Sequence, residues 1–269
     1  MKRLLQALCL LTAASSATAQ DFYDPNVLRT VDLAFHDANW LQLLEQYYDQ
    51  DINILADVTV EGVTYPDCGV QIRGNTSYFA LPPSSEKYSL NVETDEVHPE
   101  QRIMGMKNFN FNNAFSDPTF CREVVYFNQL AEWIPSGRAN HINLTCNGQN
   151  WGVYVNAQQY DKTMLKEFFP DEDGMIVKIP NNPGGPGLQY VGTNPSSYPD
   201  YELKHDGGLA NPFQALLDIC FAVDNVPGSN WQGHMVHPLA EEEILVGERI
   251  THAGQPVAVA LARTRAAAE

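Results

Sequence analysis

The sequence is poor in basic residues and in cysteine. Sixteen lysines and arginines stand against 33 aspartates and glutamates, which gives a formal net charge of −17. This charge argues against nucleic acid or an anionic membrane as a partner, because both carry dense negative charge. It fits a soluble secreted protein, or one whose targets are basic or metal-loaded. The cysteines show no CxxC spacing and no Cys/His cluster, so no zinc site is expected from them.

Long hydrophobic runs are lacking apart from one at the beginning. Met1-Lys2-Arg3 is followed by an apolar run over residues 4–14 and then by Ala17-Thr18-Ala19. This order is typical of a secretory signal peptide, and the run is too short to anchor the chain in a bilayer. We predict cleavage after Ala19 and a secreted or periplasmic protein without a membrane anchor. Loss of Lys2 and Arg3 changes the formal charge from −17 to −19.

Four cysteines remain after that cleavage: Cys68, Cys121, Cys146 and Cys220. In an oxidising compartment they can form up to two disulfides, with three possible connectivities. The spacing also fits buried thiols. Both alternatives stay open on the sequence alone.

Alternation of apolar and polar residues predicts strands along much of the chain. We predict strands at 31–35, within 56–92, and at 109–111, 142–144, 151–155 and 175–179. Helices are predicted at 40–48, from Asp117 to 134, at 162–168 and at 213–223, with Asp117 as an N-cap and Pro118 as the first helical residue. Residues 181–197 are rich in Pro, Gly, Asn and Ser and are predicted as a long loop. The mixture indicates an α+β fold.

One strand and the turn after it carry the most functional information. Val70 and Ile72 alternate with Gln71 and Arg73, and Gly74-Asn75 follows. After a Ser/Pro-rich loop, a second alternating strand is predicted to begin at Lys87. A strand, a turn of small residues and a strand with an inward lysine are the parts with which many phosphotransferases hold a nucleotide's phosphates. A lysine at a strand start is also common as a solvated edge residue, which is the competing interpretation.

Several ordered blocks resemble the CotH-type family, secreted proteins named after a spore-coat protein. Residues 69–77 resemble its GxRxRGN(S/T)S segment. The other similar blocks, in the same order, are 87–90, 108–113 with 117–119 and 122–123, 147–155 with 158–159, and 201–204 with the helix after it. The resemblance covers about residues 35–226.

The resemblance implies an atypical, kinase-like α+β fold. Such proteins transfer the γ-phosphate of ATP, with a divalent cation (Mg or Mn), to serine residues of secreted or coat proteins. In protein kinases a lysine on the sheet pairs with the phosphates and is held in place by a glutamate on a helix. Lys87 and Glu123 are the candidates for these roles, and Arg73 and Asn75 are candidates to approach the phosphates from the turn. Glu123 and Arg122 could instead pair on a helix surface.

Two departures from the family pattern limit what the resemblance implies. Gln158 stands where much of the family has a glutamate, so a charged role is excluded there. Phosphoryl transfer also needs carboxylates at the acceptor and the metal. The family supplies them after the helix at 213–223, whereas Asp224 is the last aspartate here. We therefore assign no catalytic residue and no metal ligand, and expect a chain that is C-terminally truncated and inactive in transfer.

The tail resembles a different family. Residues 224–269 look like the start of the molybdenum-binding subunit of xanthine dehydrogenase and aldehyde oxidase, in its N-terminal hammerhead domain. None of that family's cofactor contacts is present, so no molybdopterin is expected. His234 and His237 in the tail are interpreted as surface residues. The predicted organisation is a signal peptide at 1–19, a CotH-type region at 20–225 and a fusion artefact at 226–269.

Two further functions compete with a kinase-related one. The first is a non-enzymatic secreted protein that binds at a surface or coat through the same β-rich scaffold. The second is a fragment of a molybdenum hydroxylase, which would require metal or pterin. A secreted or coat protein remains the expected partner of the CotH-type region.

Overall fold

The computed structural model describes residues 21–169, 175–179, 189–199, 201–225 and 257–261. The predicted signal peptide and most of the tail, including His234 and His237, lie outside these residues. The described chain mixes helices and strands, so the predicted α+β class is confirmed. Among the helices in these ranges, none has the length and apolar content needed to span a bilayer.

Seven strands close into a barrel in the order β1-β2-β3-β4-β5-β7-β6. The strands are β1 (Arg29–Phe35), β2 (Ile54–Val60), β3 (Val63–Arg73), β4 (Ser89–Glu93), β5 (Asn108–Asn112), β6 (Ala139–Cys146) and β7 (Gln149–Gln158). Neighbours pair antiparallel except β1 and β6, whose parallel pairing closes the barrel. Closure leaves no exposed edge in this sheet.

Helices and a second, smaller sheet complete the described chain. The helices are α1 (Trp40–Tyr47), α2 (Thr76–Phe79), α3 (Arg122–Leu130), α4 (Lys162–Phe168) and α5 (Pro212–Asn225). The second sheet has the order β10-β8-β9, formed by β8 (Met175–Ile179), β9 (Glu202–His205) and β10 (Val257–Leu261). Strand β10, which belongs to the tail, pairs with β8.

The alternation seen in the sequence places the core inside the barrel. Ile72, Leu90, Phe109 and Phe111 are buried there together, whereas the residues between them face outward. Helix α3 covers part of the outer surface, where Val124 and Phe127 pack with apolar residues of β6 and β7. This packing sets the first turn of α3 beside the end of β5.

The predicted start of α3 is wrong. The helix begins at Arg122 rather than at Pro118, with Cys121 in the N-cap position. Asp117 instead caps it from a preceding turn: its carboxylate accepts from the Thr119 N–H at 3.1 Å and from the Arg122 N–H at 2.8 Å. Burial raises the pKa of Asp117, but these hydrogen bonds outweigh it and the net shift is downward. Phe120, with φ +58°, interrupts the helical backbone.

The cysteines adopt the thiol alternative. No disulfide joins the described cysteines: the thiols of Cys68, Cys146 and Cys220 are buried, and that of Cys121 is exposed. Burial raises the pKa of Cys68 to about 11. Burial also raises the pKa of Cys146, to about 12, so these two thiols are protonated at neutral pH and act as small apolar side chains.

Candidate functional site

Outward-facing residues of β3, β4 and β5 form a polar face on the barrel. Its members are Gln71, Arg73, Ser89, Asn91, Asn108, Asn110 and Asn112. Arg73 lies opposite Ser89 across the β3–β4 pair. Within the face, Asn91 donates to Asn110 at 2.9 Å and Asn110 donates to Gln159 at 2.7 Å. Because the other side of these strands is packed in the core, the orientation of the polar face is fixed.

At one end of the polar face, an amide joins two of the predicted site residues. Arg73 donates to the side-chain oxygen of Asn112, whose amide nitrogen donates to Glu123 Oε1 at 2.6 Å. Burial lowers the pKa of Arg73, and the nearby carboxylate of Glu123 opposes that shift. Glu123 had been predicted to hold Lys87. The structure instead connects it to Arg73, through the side-chain amide of Asn112.

Lys87 lies close to the same end, although it is not the first residue of a strand. Strand β4 begins at Ser89, two residues later. Lys87 Nζ donates to the backbone carbonyl of Val153 at 2.9 Å and lies 4.5 Å and 4.9 Å from the ring centroids of Phe120 and Tyr154. The side chain is half-buried, and desolvation lowers its pKa. No carboxylate in the described ranges lies within ion-pair distance of it.

Two consecutive asparagines, Asn112 and Asn113, form hydrogen bonds to Arg73 and Lys87. Asn112 holds the Arg73 side chain, and Asn113 donates to the backbone carbonyl of Lys87 at 2.9 Å. The Asn113 backbone N–H also donates to Ser89 Oγ at 3.0 Å. Arg73 and Lys87 therefore lie at the same end of the barrel as Glu123. Two cations held on one framework favour a bound anion there, in a chain whose net charge is −17.

Asn75 is exposed beside this cluster. It occupies the N-cap position of α2, with no side-chain hydrogen bond to the helix. The predicted Gly74-Asn75 turn therefore exists, but a short helix, α2, follows it where the sequence predicted only a loop before the next strand. Tyr48 fixes the turn by donating its hydroxyl to the carbonyl of Gly74 at 2.6 Å. Asn75 is exposed, two residues after Arg73 in the chain, and so is accessible to a ligand.

Gly74 is required for the shape of this turn. Its φ is +91°, and an added Cβ would lie 2.4 Å from Ser77 Oγ. Gly62 has φ +77° with nothing within 4 Å of such a Cβ. We expect Gly62→Ala to cost about 1–2 kcal/mol from backbone conformation alone, and Gly74→Ala about 0.5–1.5 kcal/mol more from the displaced serine rotamer.

Urea unfolding of the two glycine variants measures this difference. A Ser77→Ala background removes the clashing oxygen, so the extra cost of Gly74→Ala should disappear there while the cost of Gly62→Ala stays. Equal destabilisation by both substitutions in the original background would contradict the steric account of the turn.

The opposite end of the polar face opens into a small cavity of about 190 Å³. Its lining consists of Asn108, Gln159, Tyr160, Asp161, Lys162, Ile176, Lys204 and His205. The side-chain oxygen of Asn108 is buried there without a hydrogen-bond partner. Sequence reasoning missed this cavity because its walls come from segments far apart in the chain. The signals in the sequence were three family-like blocks, 108–113, 158–159 and 201–204, which supply Asn108, Gln159 and Lys204.

Gln158 has a structural environment that suits a neutral side chain. Its oxygen accepts from the Arg138 backbone N–H at 3.0 Å, and its nitrogen donates to Glu167 Oε1 at 2.9 Å. A glutamate at this position would set a second carboxylate against Glu167 and lose the donor. The surroundings of position 158 therefore fit glutamine better than the glutamate found in much of the family.

The fold and the site define an α+β barrel protein with an anion-attracting end on its polar face. The model of one family, described as CotH kinase protein, matches residues 70–236, which is more than half of the chain. The chain belongs to this family. The match includes Arg73, Asn75, Lys87 and Glu123.

The match also bears on the predicted boundary near residue 225. It continues to residue 236, so its last eleven residues lie in the segment that the sequence had assigned to a foreign fragment. The resemblance of 224–269 to a molybdenum-binding subunit stays a prediction. No curated protein matches the chain.

Proposed function

We propose that the chain is an exported member of the CotH kinase family that binds ATP, together with a divalent cation, along the polar face of the barrel. In this proposal the phosphates lie at the end formed by Arg73, Asn75 and Lys87. The base lies toward the cavity at Gln159 and Tyr160.

The environment of Lys87 carries the proposal. An ammonium group has three N–H donors, and Lys87 donates one of them to a neutral carbonyl, that of Val153. Taking a cation partly out of water without an opposite charge costs free energy. A phosphate would offset that cost and accept the remaining donors through charge-assisted hydrogen bonds. Arg73, which also donates to a neutral amide, that of Asn112, adds a planar guanidinium as a second cationic donor.

The length of the polar face fits a nucleotide. Strand β5 separates Asn108 at the cavity from Asn112 at the cationic end, a distance of about 14 Å at ~3.4 Å per residue. The cavity volume of about 190 Å³ is below the range of roughly 300–1,000 Å³ that holds whole ligands. It is therefore suited to one part of a nucleotide, with the remainder on the open face.

We propose the binding of ATP, and phosphoryl transfer to a serine is to be decided by measurement. Transfer to a serine hydroxyl requires a carboxylate or equivalent base within hydrogen-bond reach of the acceptor. We assign no residue to that role and no ligand to the divalent cation on this face. The expected acceptor is a secreted or coat protein.

A non-enzymatic binding protein is the second candidate function. The contacts of Lys87 with a carbonyl and two aromatic rings are also those of a lysine that only stabilises the barrel end. In that case the scaffold would bind its partner without nucleotide.

A nucleotide series distinguishes these functions. ATP, ADP, AMP and adenosine are titrated into the purified chain with Mg²⁺ and, separately, Mn²⁺. We expect affinity to fall in that order, because each lost phosphate removes a contact with the cationic end. Equal binding of adenosine and ATP, or no binding of either, would exclude the phosphate site. Labelled γ-phosphate and a basic, serine-rich acceptor report in the same preparation whether transfer occurs.

A further inference from the structure

A second cluster of polar side chains lies about 20 Å along β3 from Arg73, at ~3.4 Å per residue. His36 directly follows β1, Asp57 lies within β2, and Asp67 lies within β3. One potential ligand atom from each lies within 4.8 Å of those of the other two. His36 Nε2 is 2.8 Å from Asp57 Oδ1, and His36 Nδ1 is 3.8 Å from Asp67 Oδ1.

The backbone brings these groups together at an irregularity in the barrel. The register of β2 against β3 shifts between Ala56 and Val58, so Asp57 lies at a bulge. Bulges redirect side chains and recur at functional sites. Asp67 has φ +53°, a left-handed conformation that aspartate tolerates better than most residues. Its backbone N–H donates to Asp57 Oδ1 at 3.1 Å, which holds the two carboxylates in one place despite their repulsion.

We propose that His36, Asp57 and Asp67 form a binding site for a divalent transition-metal ion, with Zn²⁺ the closest match. One imidazole and two carboxylates are a mixed nitrogen and oxygen donor set. Magnesium and calcium prefer oxygen ligands alone, whereas an imidazole nitrogen favours zinc and its neighbours in the first transition row. Two aspartates balance the charge of the ion. Three protein ligands leave the fourth tetrahedral position for water.

The ligand atoms of the cluster lie close enough to converge on one ion. Zinc bonds to imidazole and carboxylate of about 2.0–2.2 Å imply roughly 3.3–3.5 Å between neighbouring tetrahedral ligand atoms. In the structure one ring nitrogen of His36 faces each aspartate, and one ligand atom from each of the three residues lies within 4.8 Å of the other two. A single ion takes one imidazole nitrogen, so binding requires the His36 ring to turn and the carboxylates to move closer together. His36 is 41% exposed and Asp57 38%, so an ion can enter from solvent. The ion would replace the proton shared between His36 and Asp57.

His98 orients one of these ligands. Its Nε2 lies 3.0 Å from Asp67 Oδ2, while Asp67 Oδ1 is the oxygen directed toward His36. Histidine–carboxylate contacts of this kind fix the direction of a metal ligand, and their removal typically weakens metal binding about 10–100-fold. A bound ion would link His36, at the end of β1, to Asp57 and Asp67 at the β2–β3 bulge, and His98 would add a contact from the β4–β5 loop. All three ligands precede residue 70, where the family match begins, so this site is separate from the proposed nucleotide site.

Zinc titration of the untagged, chelator-treated chain tests the proposal. We expect one Zn²⁺ per chain, a rise in unfolding temperature on binding, and no comparable binding of Mg²⁺. Asp67→Asn keeps the side-chain shape and tolerates the left-handed backbone, but removes the charge. This variant and His36→Gln are expected to weaken zinc binding at least about tenfold, and His98→Gln to weaken it within the range for an orienting residue. Bound Co²⁺ should give visible absorption bands that change in His36→Gln.

Matched controls locate the site. Asp49→Asn removes an exposed carboxylate outside the cluster, and the double substitution His234→Gln with His237→Gln removes the histidine pair of the tail. Both, and also Lys87→Met, should keep full zinc affinity. Circular dichroism without metal checks that each variant is folded, and His98→Gln, in a loop outside the strands, is the variant least able to disturb the barrel. Failure of the original chain to bind zinc, or zinc binding that survives Asp67→Asn and His36→Gln, overturns the proposal. So does loss of binding in the tail double variant.

Discussion

Replacing Lys87 with methionine is expected to weaken ATP binding by about 100-fold and to leave the folded protein at least as stable. Removing one partner of a desolvated, hydrogen-bonded charge pair costs about 2–5 kcal/mol of binding free energy. In the chain without nucleotide, however, the ammonium is half-buried against a carbonyl and two rings. Methionine fills the same space without the desolvation penalty and keeps favourable contacts with aromatic rings. Binding and stability should therefore change independently.

Lys107→Met is the matched control for this prediction. Lys107 is partly exposed, and its ammonium lies 3.1 Å from Asp95, away from the cationic end of the polar face. Nucleotide titration and thermal unfolding of both variants are compared. Equal losses of ATP affinity would mean that only the total charge matters. Unchanged affinity with a marked loss of stability in Lys87→Met would favour the scaffold role and the non-enzymatic function.

The pH dependence of stability and of ATP affinity, compared between the original chain and Lys87→Met, gives an independent check. Desolvation lowers the pKa of Lys87 in the folded chain. The unfolded chain therefore holds the Lys87 proton to higher pH than the folded chain does, and the Lys87 contribution to stability rises with pH between the two values. A bound triphosphate favours the charged lysine, so ATP affinity should fall as pH rises through the lowered pKa. The rise in stability with pH and the fall in ATP affinity with pH that are due to Lys87 should both be absent in Lys87→Met.

The strands could be predicted from the sequence because the core of the barrel imposes a period of two. Phe109 and Phe111 face inward and the asparagines around them face outward, as their alternation indicates. The strands predicted at 142–144 and 151–155 likewise lie within β6 and β7, which pair antiparallel on either side of Asn147-Gly148. These features depend on neighbours in the chain. Local patterns are sufficient to find them.

Features that depend on distant parts of the chain could not be predicted in this way. The parallel pairing of β1 with β6 aligns Arg29 with Ile142, and nothing in either segment specifies closure of the sheet. The metal-ligand cluster joins His36, Asp57 and Asp67 across two strand pairings and a bulge, without any recognisable spacing. The partner of Glu123 was predicted by analogy as Lys87, whereas β5 places Asn112 between Glu123 and Arg73. The types of the site residues were therefore easier to predict than their pairing.

Substitution of Asn112 with leucine is expected to be among the most destabilising changes on the polar face. The Asn112 amide makes hydrogen bonds to two charged groups, Arg73 and Glu123. Hydrogen bonds to charged groups contribute about 1.5–3 kcal/mol each, and the partial exposure of both partners lets water replace part of this. We expect a loss of about 3 kcal/mol, or a fall in unfolding temperature of about 6–12 °C for a chain of this size.

Asn108→Leu is the control, because Asn108 lies on the same strand and the same face. Its side-chain oxygen is buried without a hydrogen-bond partner, so its removal relieves a desolvation cost. We expect this variant to be neutral or slightly stabilised in the absence of ligand. Chemical unfolding of both variants gives the comparison, and equal losses would show that leucine itself, and not the broken hydrogen bonds, disturbs the sheet. Because Asn112 also orients Arg73, the nucleotide proposal adds a second expectation: Asn112→Leu should weaken ATP binding at a temperature where the variant is still fully folded.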